Sequence, residues 1–143
     1  MRRVVAGVDD DGRSCLTEDL DLGPERASKG FERHFVYETE VAPPPARPLG
    51  QGSLYPMGLA PGHTRFYLVD QGPDFDVEVP FHHTDTVDIG FILSGSTELV
   101  LDDGAHELLA GDCFVILGVD HSWRNGPEGC RICSASIGTP PLS

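Results

Sequence analysis

The chain has very little positive charge. Its 143 residues include one lysine, Lys29, and between Phe66 and Trp123 there is neither lysine nor arginine, although that stretch holds twelve Asp and Glu and four of the six histidines. The net charge is -13, carried almost entirely by this central segment. Without a basic stripe the chain lacks the electrostatic attraction that dominates nucleic-acid binding, and anionic membrane surfaces are disfavoured for the same reason. No apolar run approaches the roughly 20 residues of a spanning helix. After Met1-Arg2-Arg3, acidic Val8-Asp9-Asp10-Asp11 interrupts any signal-like hydrophobic region. The expectation is a cytoplasmic protein with no nucleic-acid or membrane partner.

Helical periodicity is also scarce, and so are cysteines. Of the four, Cys130 and Cys133 form a lone CxxC, but in a strand their odd spacing sends the side chains to opposite faces, which favours reduced structural thiols over a metal pair or disulfide. What is abundant is glycine (17) and proline (12), between short alternating or β-branched runs. That pattern predicts an all-β domain with little helix. Val4–Val8 and Arg13–Leu16 flank Asp9-Asp10-Asp11-Gly12 as an N-terminal hairpin. Residues Phe31–Val41 alternate as a half-buried strand, and the Pro/Gly-rich stretch 42–63 reads as loop. Further strands are expected at Thr64–Val69, Phe75–Val79, His82–Thr86, Ile89–Leu93, Thr97–Asp102, Ala105–Leu109, Cys113–Leu117 and Arg131–Ile137. Asp102-Asp103-Gly104 supplies a hairpin turn. Many short, evenly spaced strands suggest a closed barrel or jelly roll, with 1–143 as one domain and 64–137 as its barrel core.

The chemistry gathers in two runs, Pro80-Phe81-His82-His83-Thr84-Asp85-Thr86-Val87-Asp88 and Gly118-Val119-Asp120-His121-Ser122-Trp123-Arg124-Asn125. In a strand His82, Thr84, Thr86 and Asp88 share one face, because their separations are even. His121 sits near the end of another strand, so two imidazoles and a carboxylate can converge. By parity His83 points the other way, as an exposed strand histidine, unless a β-bulge turns it inward as an alternative ligand. Asp88 is the one acid of the central segment with the parity to reach a pocket; the others, Asp120 included, fall in turns, at strand ends or towards solvent. Arg65 and Tyr67 share a face that either lines the pocket or yields it to Phe66 and Leu68. Trp123 walls the barrel mouth or packs in the core.

At these residues the sequence resembles the cupin superfamily, small double-stranded β-helix barrels with two short motifs on neighbouring strands. Asp88 stands where the first motif has Glu, followed at the right distance by Gly95; Gly118, His121 and Asn125 keep the spacing of the second after Gly111. One histidine of the usual His-x-His pair is absent, since Thr84 or Phe81 occupies its place, and Asp88 shortens the usual Glu. The resemblance implies a cupin jelly-roll barrel and a divalent transition metal (Fe, Zn, Mn or Ni) held by His82, Asp88 and His121, with no organic cofactor. Two imidazoles and one carboxylate with open positions suit such an ion. The expected function is then a small cupin enzyme acting on a small organic, aromatic or polyketide-like molecule. Thr84, Thr86, Arg65, Tyr67, Phe91 and Trp123 would contact the substrate, and Phe91, Ile92, Leu93, Trp123 and the strand Phe31–Tyr37 would form the apolar walls. The same residues without a metal suit an acid/base isomerase, cyclase, dehydratase or decarboxylase, or a non-catalytic ligand-binding module. Related barrels often pair, so a homodimer is expected.

Overall fold

A computed structural model describes residues 1–45, 50–73 and 80–141. Among them there is no helix, hence none long and apolar enough to cross a membrane, and the all-β expectation holds. The strands are β1 (Arg2–Val8), β2 (Ser14–Asp21), β3 (Arg26–Ser28), β4 (Phe31–Arg33), β5 (Ser53–Leu54), β6 (Thr64–Gln71), β7 (His82–His83), β8 (Thr86–Leu101), β9 (Gly104–Leu109), β10 (Cys113–Ile116) and β11 (Ser122–Gly138). The main sheet runs β2-β1-β10-β8-β11-β6, with β9 on the far half of β8. All its pairings are antiparallel except β1 with β10.

The long pair β8–β11 organises the rest. Its first arm joins Thr86–Gly95 to Cys130–Gly138, its second joins Thr97–Val100 to Ser122–Asn125, and the register slips between them at Asn125/Cys130. An inserted stretch of this kind bends a strand and increases its twist. The two arms thereby face one another across a core of Val4, Ala6, Ile92, Leu99, Leu108, Phe114 and Ile116. The expected separate strands Ile89–Leu93 and Thr97–Asp102 are thus one bent strand. Likewise Arg131–Ile137 is the second part of β11.

The N-terminal hairpin forms as expected, closed by Asp9 Oδ1 accepting from the backbone N–H groups of Asp11 and Arg13. The half-buried strand Phe31–Val41 does not. Only Phe31–Arg33 is extended, paired with Arg26–Ser28 alone, and Phe31 is 49% exposed. A two-strand ribbon off the main sheet gives an alternating sequence no core to face. His34 instead sends its Nδ1–H to the Leu22 carbonyl. The expected strand His82–Thr86 breaks after His83, before β8 begins. The stretch 42–63 is not all loop, because Ser53–Leu54 pairs in parallel with His82–His83. The expected strand Phe75–Val79, and residues 46–49 of that stretch, lie outside the described residues. All four cysteines are free; Cys130 packs in the core, whereas Cys133 does not.

Candidate functional site

Between the two arms lies a cavity of about 520 Å³. One wall is read from the strand register. On its inner face Asp88 pairs with Ser136, Ser134 pairs with Gly90 on one side and Tyr67 on the other, and Ile132 likewise with Ile92 and Val69. Period-two alternation sends Phe66 (73% exposed) and Leu68 (59%) outward and turns Tyr67 and Val69 inward. This settles the choice that sequence parity left open for β6.

A row of rings leads round the cavity to this wall. Tyr55 lies 5.4 Å from His82, His82 4.5 Å from His121, His121 6.2 Å from Trp123 and Trp123 5.2 Å from Phe114, centroid to centroid. All five border the cavity. Phe114 can lie across β8 only because its neighbour is Gly90: a Cβ there would sit 1.9 Å from Phe114 Cζ. His82 and His121 are fixed as a backbone pair, each N–H donating to the other's carbonyl. Their side chains are fixed too. His82 Nδ1–H donates to the Pro80 carbonyl at 2.7 Å and His121 Nδ1–H to the Val119 carbonyl at 2.8 Å. With those hydrogens committed, Nε2 is the atom each ring offers to a ligand. Burial pushes the His121 imidazole down to about 4, although its bond to Val119 opposes the shift, so it is neutral at pH 7.

Asp88 closes the polar end of the first wall. Ser136 Oγ–H donates to its Oδ1, Thr86 Oγ1 lies 3.0 Å from the same oxygen, and Thr84 Oγ1 lies 3.4 Å from Oδ2. Tyr67 O–H reaches Ser136 at 3.0 Å, so a chain of hydroxyls leads to the carboxyl. Burial raises the Asp88 pKa above the ordinary carboxylate value, against the lowering effect of these hydroxyls and of His82.

His82, Asp88, His121, Tyr67, Trp123 and Thr84 all border this one cavity. Thr86 is buried behind Asp88 and supports it without bordering the space. Arg65 shares the inner face of β6 with Tyr67 and Val69 but does not border the cavity; its Nη1 donates to the Met57 carbonyl at 3.3 Å. Phe91 does not border the cavity, because alternation along β8 turns it to the opposite face from Gly90 and Ile92. Ile92 fills the core and Leu93 is exposed, so the apolar wall comes instead from Ile116, Phe114, Ile132 and Val69.

His83 is the largest departure. It is buried, 5% exposed, with Nδ1–H donating to Asp120 Oδ1 at 3.0 Å. The face opposite His82 is not solvent, because residues 50–55 cross it as a strap. Asp120 holds that strap by accepting the backbone N–H groups of Gln51 and Gly52. A Cβ at Gly50 would come within 2.1 Å of Asp120 Oδ1. Sequence reasoning placed Asp120 in a turn and passed over the strap residues Ser53, Tyr55 and Met57, which border the cavity. It also passed over Ser134 and Ser136, whose even spacing on β11 was the available signal.

The donor set does not fit the mononuclear metal expected from His82, Asp88 and His121. Among the described residues no three His, Cys, Asp or Glu side chains converge as ligands. The two imidazoles are adjacent, but the Asp88 oxygens are turned to Thr84, Thr86 and Ser136.

No family model matches the chain. Phomopsin biosynthesis cluster protein C' of Diaporthe leptostromiformis is 31% identical over 133 residues, covering 86% of this chain and 69% of that protein. A cupin-domain-containing oxidoreductase, srdD, of Neurospora crassa is 39% identical over 59 residues, 41% of this chain and 29% of that protein. The crystal structure of a cupin-2 domain containing protein from Shewanella frigidimarina shares 27% identity, with a TM-score of 0.44, over 52% of this chain and 70% of that chain.

Proposed function

The chain belongs to the cupin superfamily, and from that premise we propose that it is a small biosynthetic enzyme that moves protons on a small organic molecule held between its two walls. The observation that carries this reading is the pairing of unlike groups in one cavity: imidazole Nε2 atoms on one side and a buried carboxyl held towards its acid form on the other. A carboxyl kept towards its acid form and an imidazole with an open Nε2 supply a proton donor and a proton acceptor to the same cavity. The similarity to a protein named for the phomopsin biosynthesis cluster supports a role in the formation of a natural product.

His82 is the base in this reading. It is the less buried of the two imidazoles, and with its Nδ1–H given to the Pro80 carbonyl its Nε2 is the acceptor. His121, held neutral, accepts a hydrogen bond from the substrate and orients it. Asp88 is the acid. Its Oδ1 is occupied by Ser136 and Thr86, while the 3.4 Å separation from Thr84 is too long for a good hydrogen bond. Oδ2 is therefore the oxygen that carries the transferable hydrogen. For a substrate with a C–H next to a carbonyl, the C–H bond breaks as its proton passes to His82 Nε2, and the Asp88 O–H gives its proton to the carbonyl oxygen. The product is the enol. Where the enol is conjugated, His82 returns its proton to the far carbon of the dienol while the enol O–H gives its proton back to Asp88, which completes an isomerisation and restores both groups.

The test is exchange of the methyl hydrogens of acetonaphthone in deuterated buffer, followed by NMR. The protein is expected to accelerate exchange at least about tenfold over buffer, a change of about 1.4 kcal/mol in barrier. His82→Ala and Asp88→Asn should each abolish the acceleration, and chelator should leave it unchanged. Acceleration that survives both substitutions overturns the assignment, as does a bound probe whose hydrogens exchange no faster than in buffer.

A further inference from the structure

The cavity says more about its substrate than its acid and base do. Among the described residues no Lys or Arg borders it, and the stretch that supplies most of its lining, Phe66 to Trp123, contains none at all. Arg65, the cation nearest to hand on β6, is turned to the Met57 carbonyl. A carboxylate or phosphate entering this space would lose its water without gaining a counter-charge, inside a protein of net charge -13. Anionic substrates are therefore selected against by the same shortage of bases that marks the sequence.

The walls add shape. The row of rings from Tyr55 to Phe114 runs along one side. On the sheet face where the row ends the register sorts the lining by polarity: Asp88 with Ser136, then Ser134 with Tyr67, then the apolar pair Ile132 and Val69. Ring faces favour a flat unsaturated partner, offset or edge-on, beyond what apolar area alone provides. Hydroxyls and a carboxyl grouped at one end favour a single oxygen function there. Resting on the proton-transfer reading, and naming its substrate class, we infer that the substrate is an uncharged, planar, unsaturated molecule whose carbonyl or hydroxyl oxygen lies at the Asp88 end and whose ring body lies between the aromatic row and the Ile132–Val69 wall.

The experiment is calorimetric binding at neutral pH with three probes of similar size: acetonaphthone, naphthoate and the saturated methyl decalyl ketone. Acetonaphthone is expected to bind at least about tenfold more tightly than either of the others. In Trp123→Leu, and separately in Tyr55→Leu, whose parent residue is half out in solvent, the preference for the unsaturated ketone over the saturated one should shrink to about threefold or less. The preference over naphthoate should remain. Naphthoate binding as tightly as acetonaphthone overturns the inference, as does equal binding of the saturated ketone or no binding of acetonaphthone. These outcomes are separate from those for proton transfer, because a probe can bind with the stated selectivity and still fail to exchange its hydrogens.

Discussion

His83 and Asp120 form a buried pair, Nδ1 to Oδ1 at 3.0 Å, directly behind the two imidazoles that face the cavity. Each member is the chain neighbour of one of those imidazoles: His83 follows His82, and Asp120 precedes His121. Since His82 and His121 are also joined by two backbone hydrogen bonds, three interactions lock one short ladder. The outer pair holds the strap, and the inner pair borders the cavity. Anchoring of the wall and placement of the reactive groups therefore depend on the same few residues.

Removing the Asp120 carboxylate should loosen the strap. Asp120→Ala leaves the N–H groups of Gln51 and Gly52 and the His83 ring without their acceptor, and unsatisfied buried donors cost about 1–3 kcal/mol each. A destabilisation of about 2–4 kcal/mol is expected by denaturant unfolding. Hydrogen exchange at residues 50–55 should accelerate more than exchange in β10. Unchanged protection in the strap would refute the anchoring role.

Gly90 and Phe114 predict a compensating pair. Gly90→Ala puts a Cβ against the Phe114 ring, and overpacking of this kind costs about 1–3 kcal/mol. Phe114→Leu opens the contact at its own cost in lost packing. The double variant should be more stable than the sum of the single losses implies, by about 1 kcal/mol or more, as coupled neighbours are. Strict additivity of thermal or denaturant stabilities would show that the two residues do not share the space.

How much of this was legible in the chain depends on the range of the interactions involved. Parity puts His82, Thr84, Thr86 and Asp88 on one face, and all but Thr86 border the cavity even though the strand breaks after His83; the spacing of Gly118, His121 and Asn125 points to the second histidine. These are properties of a strand and its turn, carried by neighbours in sequence. Parity failed for His83 because whether a strand's second face meets water depends on residues some thirty positions away, here the strap at 50–55. It failed for Phe31–Val41 because alternation records which face is apolar without guaranteeing that a core lies opposite. Arg65 was similarly ambiguous, since a long side chain at a strand end chooses among nearby carbonyls. Asp120 carried no local signal: its partners are 37 and about 70 residues distant.

The buried His121 predicts acid instability. Its imidazole is neutral in the folded protein down to about 4, whereas an unfolded histidine protonates near 6.5. Between those values the unfolded chain binds more protons, so stability falls as pH drops from about 6.5 towards 4. The difference corresponds to about 3 kcal/mol for this one group. Replacing the ring with an amide in His121→Asn should remove most of that slope, although it lowers stability at neutral pH. A variant with the wild-type slope would place the acid sensitivity elsewhere.

Asp88 predicts a pH effect of the opposite sign, and Ser136 reveals it. Burial raises the Asp88 pKa while the hydroxyls of Ser136, Thr86 and Thr84 lower it. A carboxyl whose folded value lies above its unfolded value favours folding while protonated, and stability is lost as pH rises from the unfolded value through the folded one. Ser136→Ala deletes a donor that stabilises the ionised form, so the Asp88 titration should move upward, measurable in the carboxyl carbon NMR signal. The penalty of the substitution must then depend on pH. Below the Asp88 titration both proteins hold a neutral carboxyl, and the loss should be about 1 kcal/mol, that of an ordinary hydrogen bond. Above it the variant holds a buried carboxylate with one donor fewer, so the gap in unfolding free energy should widen. Tyr67→Phe, one hydroxyl further along the chain, should give a weaker version of the same trend. A pH-independent penalty for Ser136→Ala would mean that Asp88 does not change its protonation state in this range, and the coupling of Ser136 to its titration would be refuted.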